Sequence, residues 1–334
     1  MSKNLPQLSG NNKLSTLRTK RSQALLKREG LGVFAILVLL IIILSVFSPY
    51  FLTAENLTNV LLQSVFLMVV SFGMMFVLTI GGIDLSVGSV LGLCGGVIGW
   101  LMLQGINMWA AIIIGLLLGT LIGTFNGIVI TKLRISPFLT TFAMLYIARG
   151  LLFLLTAEEP VRNFATPQFK FIARGNLWGI PAAVWITLVI FLICYFIFQF
   201  TSFGRKVIAT GSNREAAYLS GISTDRITIK VYALSGFLAA AAGVLLTSRL
   251  TSVQPLMGTN YELDAIAAAV IGGTSMFGGK GSVVGVAMGA IILALVSNGL
   301  DLLSVNQFYR LIITGLIILL AVGMERLTFT RNES

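Results

Sequence analysis

Twelve carboxylates, twenty-three lysines and arginines and no histidine limit the chemistry open to this chain. Without an imidazole there is no Ser-His-Asp triad, no histidine acid–base step and no common zinc site. Cys94 and Cys194 each stand alone in an apolar run, where a thiol is a small core residue. They build neither a disulfide framework nor a metal motif. Catalytic residues, metal ligands and cofactors are therefore not expected. Gly272-Gly273-Thr274-Ser275-Met276-Phe277-Gly278-Gly279-Lys280-Gly281-Ser282 approaches a phosphate loop but fails the pattern. Thr274 stands where glycine is required, and Gly281 follows the lysine in place of Ser or Thr. The segment reads as a tight turn with Ser282 capping the next helix, and the chain is not expected to bind ATP itself.

The chemistry that remains is that of helix breaks and polar links. In Gly81-Gly82-Ile83-Asp84-Leu85-Ser86-Val87-Gly88 the two glycines can end one helix and Asp84 can cap the next, accepting from amides near Ser86 and Val87. A carboxylate at membrane depth costs a few kcal/mol on insertion scales, so it must face protein or water. Helix capping and lining of a pathway are its two roles. Glu262 and Asp264 pose the same question at another helix end, and Gln63, Trp100, Asn126, Tyr146 and Asn298 are further polar or amphipathic side chains in apolar surroundings. Ser212 and Glu215 have capping-box spacing, Ala216 and Ala217 continue a helix, and Gly221 can stop it in a left-handed conformation. This reads as a short polar helix lying across the membrane face, or as an ordinary ordered connector.

The elements that hold these residues belong in lipid. The chain is 56% hydrophobic and 10% charged, against roughly 25% charge in soluble domains. Apolar runs near the ~20 residues that span a bilayer recur along it, and lipid admits them only as helices. The expected fold is an all-α integral membrane protein with about ten transmembrane helices, short broken segments and a cytoplasmic coupling helix. The spans are expected at 31–48, 60–80, 85–104, 108–131, 137–156, 180–200, 229–249, 261–277, 283–300 and 307–324, that at 261–277 being broken or re-entrant. Residues 1–30 form a basic arm, 31–325 the membrane domain with a polar loop at 202–228, and 326–334 a tail. The 35 glycines favour close approach of helices. With the N-terminus inside, 17 of the 23 basic residues fall on cytoplasmic segments, the positive-inside bias of a bacterial inner-membrane protein. The net charge of +11 is thus an orientation signal, and nucleic acid is not an expected partner.

Residues 157–179, with Phe164, Phe169 and Phe171, make the longest outer connection, an interfacial helix or a solvated loop with membrane-touching aromatics. Ile80-Gly81-Gly82 with Gly88-Ser89 echoes Ile271-Gly272-Gly273 with Gly281-Ser282, and Asn126-Gly127 echoes Asn298-Gly299. Duplication and chance similarity among glycine-rich helices both account for this.

Glu215-Ala216-Ala217-x-x-x-Gly221 is similar to the EAA loop through which permease subunits of ABC importers contact their ATPase, although the Leu-Pro usual downstream is replaced by Ile227-Thr228-Ile229-Lys230-Val231. Over residues 30–325 the chain resembles the permease subunit of ribose-type ABC sugar importers, whose relatives carry ribose, xylose, arabinose, allose or autoinducer-2. The resemblance rests on Gly82-Ile83-Asp84-Leu85-Ser86-Val87-Gly88, Ala148-Arg149-Gly150, Phe203-Gly204-Arg205, Tyr261-Glu262-Leu263-Asp264-Ala265-Ile266-Ala267-Ala268 and the Gly272–Gly281 segment. It implies a non-enzymatic pore subunit in the lipid of the cytoplasmic membrane. The implied partners are a cytoplasmic ABC ATPase, an extracytoplasmic sugar-binding protein and a second permease copy. A self-sufficient secondary transporter is the alternative, with Asp84, Arg149, Glu262 and Asp264 as candidates for ion coupling. Reporter fusions or cysteine labelling at Asn4 and Asn332 should both give a cytoplasmic signal; an external signal at either end overturns this topology.

Overall fold

A computed structural model describes residues 32–306 continuously and single positions between 309 and 323. The expected basic arm, the tail and most of the span at 307–324 lie outside the described residues. Over residues 32–306 twelve helices follow one another: α1 Gly32–Phe47, α2 Ala54–Thr79, α3 Val87–Leu103, α4 Met108–Lys132, α5 Pro137–Thr156, α6 Pro167–Arg174, α7 Ala182–Phe200, α8 Ser202–Ser212, α9 Arg214–Leu219, α10 Thr224–Leu250, α11 Tyr261–Ile271 and α12 Val283–Leu302. Among the described residues six of these (α2, α4, α5, α7, α10 and α12) are long and apolar enough to cross a membrane, while α1 and α3 are apolar but shorter.

The sequence signals place the ends. Thr53 accepts from the Asn56 amide and starts α2 six residues ahead of the expected span. Asn107 caps α4, Ser136 caps α5 with Pro137 at its first turn, and Ser282 accepts from Gly285 to open α12. The span expected over 261–277 is cut to eleven residues, because Gly272 and Gly273 (φ +83°) end α11 and the chain turns through Gly278 and Gly279, also left-handed.

α2 lies at the centre, packed on α10, α12, α11 and α7. Its most apolar stretch is 83% buried, against 22% for α7 at the rim. The tightest packing joins α4 to α10. Gly115, Gly119, Gly123 and Gly127 recur every fourth residue along one face of α4, a small-residue seam of the kind that lets membrane helices approach backbone to backbone. A Cβ added at Gly119 would strike the Gly236 carbonyl, at Gly123 the Tyr232 carbonyl, and at Gly127 the Cα of Ile229.

The segment 157–179 contains a helix, so its reading as a solvated loop with membrane-touching aromatics is corrected. It carries the eight-residue α6 and a minimal hairpin, β1 Asn176–Leu177 with β2 Ile180–Pro181, turned at Trp178 and Gly179 with positive φ. Phe164 and Phe169 do not touch the membrane: both are buried, and only Phe171 is exposed. Ser248 of α10 fixes α6 by donating to the Phe169 carbonyl at 2.5 Å and accepting from the Ala173 amide at 3.0 Å. Backbone bonds between Val161 and Val253 tie the same segment to the α10–α11 connection.

Because the α4–α10 seam has no space for a side chain at Gly123, Gly123→Leu should cost roughly 1–3 kcal/mol or more of stability through overpacking. Thermal unfolding in detergent should show a clear drop in Tm, whereas Leu121→Ala, on the exposed face of the same helix (Leu121 is 65% exposed), should leave it within a degree or two.

Candidate functional site

Three polar assemblies interrupt the apolar bundle. The first is the break between α2 and α3. The Gly81 and Gly82 amides fold back onto the Leu78 and Val77 carbonyls, and Gly81 takes φ +77°, so the helix stops without orphaned groups. The chain then needs partners for the groups that open α3. Asp84, 1% exposed, supplies them: its Oδ1 accepts from the Ser86 amide at 3.0 Å and the Ser86 hydroxyl at 2.6 Å, and its Oδ2 accepts from Ser235 of α10 at 2.9 Å. Asn126 of α4 donates to Ser86 Oγ at 3.1 Å. Tyr232 of α10, fully buried, donates to the Ile83 carbonyl at 3.1 Å, and the Leu85 amide donates to Thr141 of α5 at 3.1 Å. Five helices thus meet on the seven residues, 80–86, between α2 and α3. Asp84 stands in no ion pair among the described residues.

The second assembly is α8–α9. Glu215 lies exposed in the first turn of α9, Ala216 is exposed, Ala217 is buried, and Gly221 takes φ +82° just past the helix end. The Gly221 and Ile222 amides bond back to the Tyr218 and Ala217 carbonyls. The capping box expected from Ser212 to Glu215 is not formed. α8 runs through Ser212, whose hydroxyl donates within the helix to Ile208. The first extended residue, Asn213 (φ −160°, ψ 107°), caps α9 instead, accepting from Ala216 at 2.9 Å. Arg214 pairs with Asp225 of α10 at 2.9 Å, both half exposed, a link worth little by itself. Tyr218 and Leu219 project outward at 67% and 78% exposure. Where α8 meets α9, Gly211 is pressed against the Thr79 carbonyl, which also accepts from the Gly279 amide at 2.8 Å. The element is therefore seated on the stop of α2 and on the glycine-rich turn after α11.

The third assembly surrounds α11. Glu262 lies against Gly88 at the start of α3, its Oε2 buried and, among the described residues, without a hydrogen-bond partner. Arg149 of α5 donates to the Met257 carbonyl at 2.7 Å. Asp264 instead borders a cavity of ≈ 210 Å³ between the beginnings of α2 and α11 and the ends of α10 and α12, together with Gln63, Phe66, Arg249, Tyr261 and Ser297.

The structure brings Asp84, Gly81, Gly82 and Asn126 into one cluster and Asp264 and Gln63 into another. Asn298 joins neither. It exchanges two amide hydrogen bonds with Asn56, at 2.7 and 3.0 Å, and so ties α12 to the start of α2. The echo between Asn126 and Asn298 is therefore not an equivalence of contacts. Tyr146 and Trp100 are exposed on outer helix faces. Among the described residues no three Cys, Asp or Glu side chains converge as metal ligands would. The sequence points to Ser86 for its amide alone and not to Thr141, Tyr232 or Ser235. The signal for the last two was their i, i+3 spacing as polar residues on one face of an apolar helix.

Residues 56–322 match the family described as branched-chain amino acid transport system / permease component. The ribose import permease protein of Bacillus subtilis is 41% identical over 299 residues, 89% of this chain and 93% of its own. The D-allose transport system permease protein of Escherichia coli K12 is 38% identical over 298 residues, 89% and 91% of the two chains. The L-arabinose transport system permease protein of the same strain is 37% identical over 295 residues, 88% and 90%. No solved structure gives a significant match. With six membrane-length helices, broken helices packed through buried polar links, and identity of this extent along nearly the whole chain, the protein belongs to the permease-component family of these transport systems.

Proposed function

We propose that the chain is the membrane pore of a monosaccharide importer, with a ribose-like pentose or a related sugar as cargo. The observation that carries this is identity of 37–42% over 86–89% of the chain to permeases named for ribose, allose and arabinose. ATP hydrolysis belongs to a separate cytoplasmic ABC subunit, and an extracytoplasmic binding protein delivers the sugar. Two permease copies form the pathway in the bacterial inner membrane, each crossing it about ten times with both termini cytoplasmic. The positive-inside bias supports that orientation.

The α8–α9 element is the docking point for the ATPase. It is polar, its caps hold it in one shape, and its Tyr218 and Leu219 are left exposed by the described residues. A partner that contacts this element differently in its ATP-bound and empty states can bias the bundle between two conformations. The whole assembly in proteoliposomes should take up pentose with ATP, and the permease alone should not. Gradient-driven uptake by the permease alone would overturn the reading. In the same system Gly221→Val, which forces a β-branched residue into a left-handed conformation, and Glu215→Arg should each lower ATPase co-purification and sugar moved per ATP hydrolysed. Wild-type coupling in both would reduce the element to a connector.

The Asp84 cluster gives a second expectation. Asparagine at position 84 keeps an acceptor for Ser86 and a group that reaches the Ser235 hydroxyl, so Asp84→Asn should retain folding and most transport. Asp84→Leu leaves buried donors without acceptors, each worth about 1–3 kcal/mol, and should lose assembly and transport together. A folded but inactive Asp84→Asn would show that the charge itself works in the pathway.

A further inference from the structure

We infer that the cavity bordered by Gln63, Phe66, Arg249, Tyr261, Asp264 and Ser297 is a subsite for a single neutral sugar ring within the permease itself; the inference rests on the sugar-import reading above. Its ≈ 210 Å³ lies below the roughly 300–1,000 Å³ of drug-sized ligand sites, which suits one small ring and nothing much larger. Three of the walls, α2, α10 and α12, are the most deeply buried of the membrane-length helices. Ionic and amide side chains on such helices do not face hydrocarbon, so the space they line is wet or filled by a polar ligand.

The lining matches a sugar group by group. Phe66, 3% exposed, gives the cavity an apolar wall. The Arg249 guanidinium lies over the Phe66 ring, 5.9 Å from its centroid, which holds a planar donor fork against that wall. Gln63 Oε1 is buried and, among the described residues, has no hydrogen-bond partner. Such an orphan acceptor costs free energy until a donor arrives, and a hydroxyl is both donor and acceptor. Tyr261, Asp264 and Ser297 add hydroxyl and carboxylate groups around the same space. Arg249 and Asp264 cancel in charge, so the cavity favours neither an anion nor a cation. In the proposed orientation it lies at the extracytoplasmic end, where delivered sugar would enter.

Ser297→Cys tests this directly, because Cys94 and Cys194 are buried and give no competing label. In the assembled importer, an impermeant maleimide applied from outside should label the new thiol. Millimolar D-ribose, D-allose or L-arabinose should slow labelling at least threefold, and L-leucine should not. Absence of labelling, protection by leucine in place of sugar, or indifference to sugar each overturns the subsite. In transport, Gln63→Leu should raise the sugar KM about tenfold, Gln63→Glu should keep it within about threefold, and Leu154→Ala on the outer surface (Leu154 is 81% exposed) should change nothing. Wild-type KM in Gln63→Leu counts against the subsite. A wild-type assembly that carries no monosaccharide would instead overturn the import reading.

Discussion

A helix that stops inside a membrane bundle must satisfy its backbone without water, and this requirement at the end of α2 organises the rest of the molecule. Thr79 is the last helical residue and Val87 the first of the next helix. The intervening amides and carbonyls receive partners from α3, α5 and α10, and Asn126 of α4 bonds the Ser86 hydroxyl. An unpaired buried polar group costs about 1–3 kcal/mol, so several left open together would match the whole stability of an ordinary domain. Asp84 meets the demand more economically than a hydroxyl would, since one carboxylate accepts two bonds at Ser86 and a third from Ser235.

That solution works only because the helices around it are held in register. Tyr232 places its hydroxyl on the Ile83 carbonyl while its own backbone carbonyl abuts Gly123. One turn along α10, Ser235 reaches Asp84. On the facing helix Asn126 stands next to Gly127, which packs on Ile229. The glycine seam of α4 and the polar cluster are therefore one device. Backbone contact along the seam sets the depth of α10 against α4, and that depth determines whether the hydroxyls arrive at the break.

What the sequence shows of this depends on how local the cause is. The Gly81-Gly82 stop, an acidic residue positioned to take the amides that follow, and the left-handed Gly221 are all set within a few residues, where turn and cap chemistry operates. The Ser235–Asp84 bond joins positions 151 apart, and no local pattern names that partner. Ser212 illustrates the opposite hazard. Its spacing to Glu215 fits a capping box, but the preceding helix extends one residue further than the pattern assumes and the cap passes to Asn213. The burial of Phe164 and Phe169 was likewise hidden, because it depends on Gly99 of α3 leaving space for the Phe164 ring and on Ser248 of α10 anchoring α6.

The three polar assemblies also share one rod. α2 has 26 residues, about 39 Å at 1.5 Å per residue. Its last carbonyls carry the contact with Gly211 of α8, its stop leads into the Asp84 cluster, and its early turns supply Gln63 and Phe66 to the cavity. A helix buried along most of its length by close-packed neighbours is displaced as a body more readily than it is bent, because interiors of this density transmit strain. The Asp84 cluster opposes sliding at one end and the Asn56–Asn298 pair opposes it at the other. Movement of α8 therefore cannot pass into α2 without acting on α10, α11 and α12, the helices that complete the cavity. In this architecture the polar breaks are what make the membrane helices respond together.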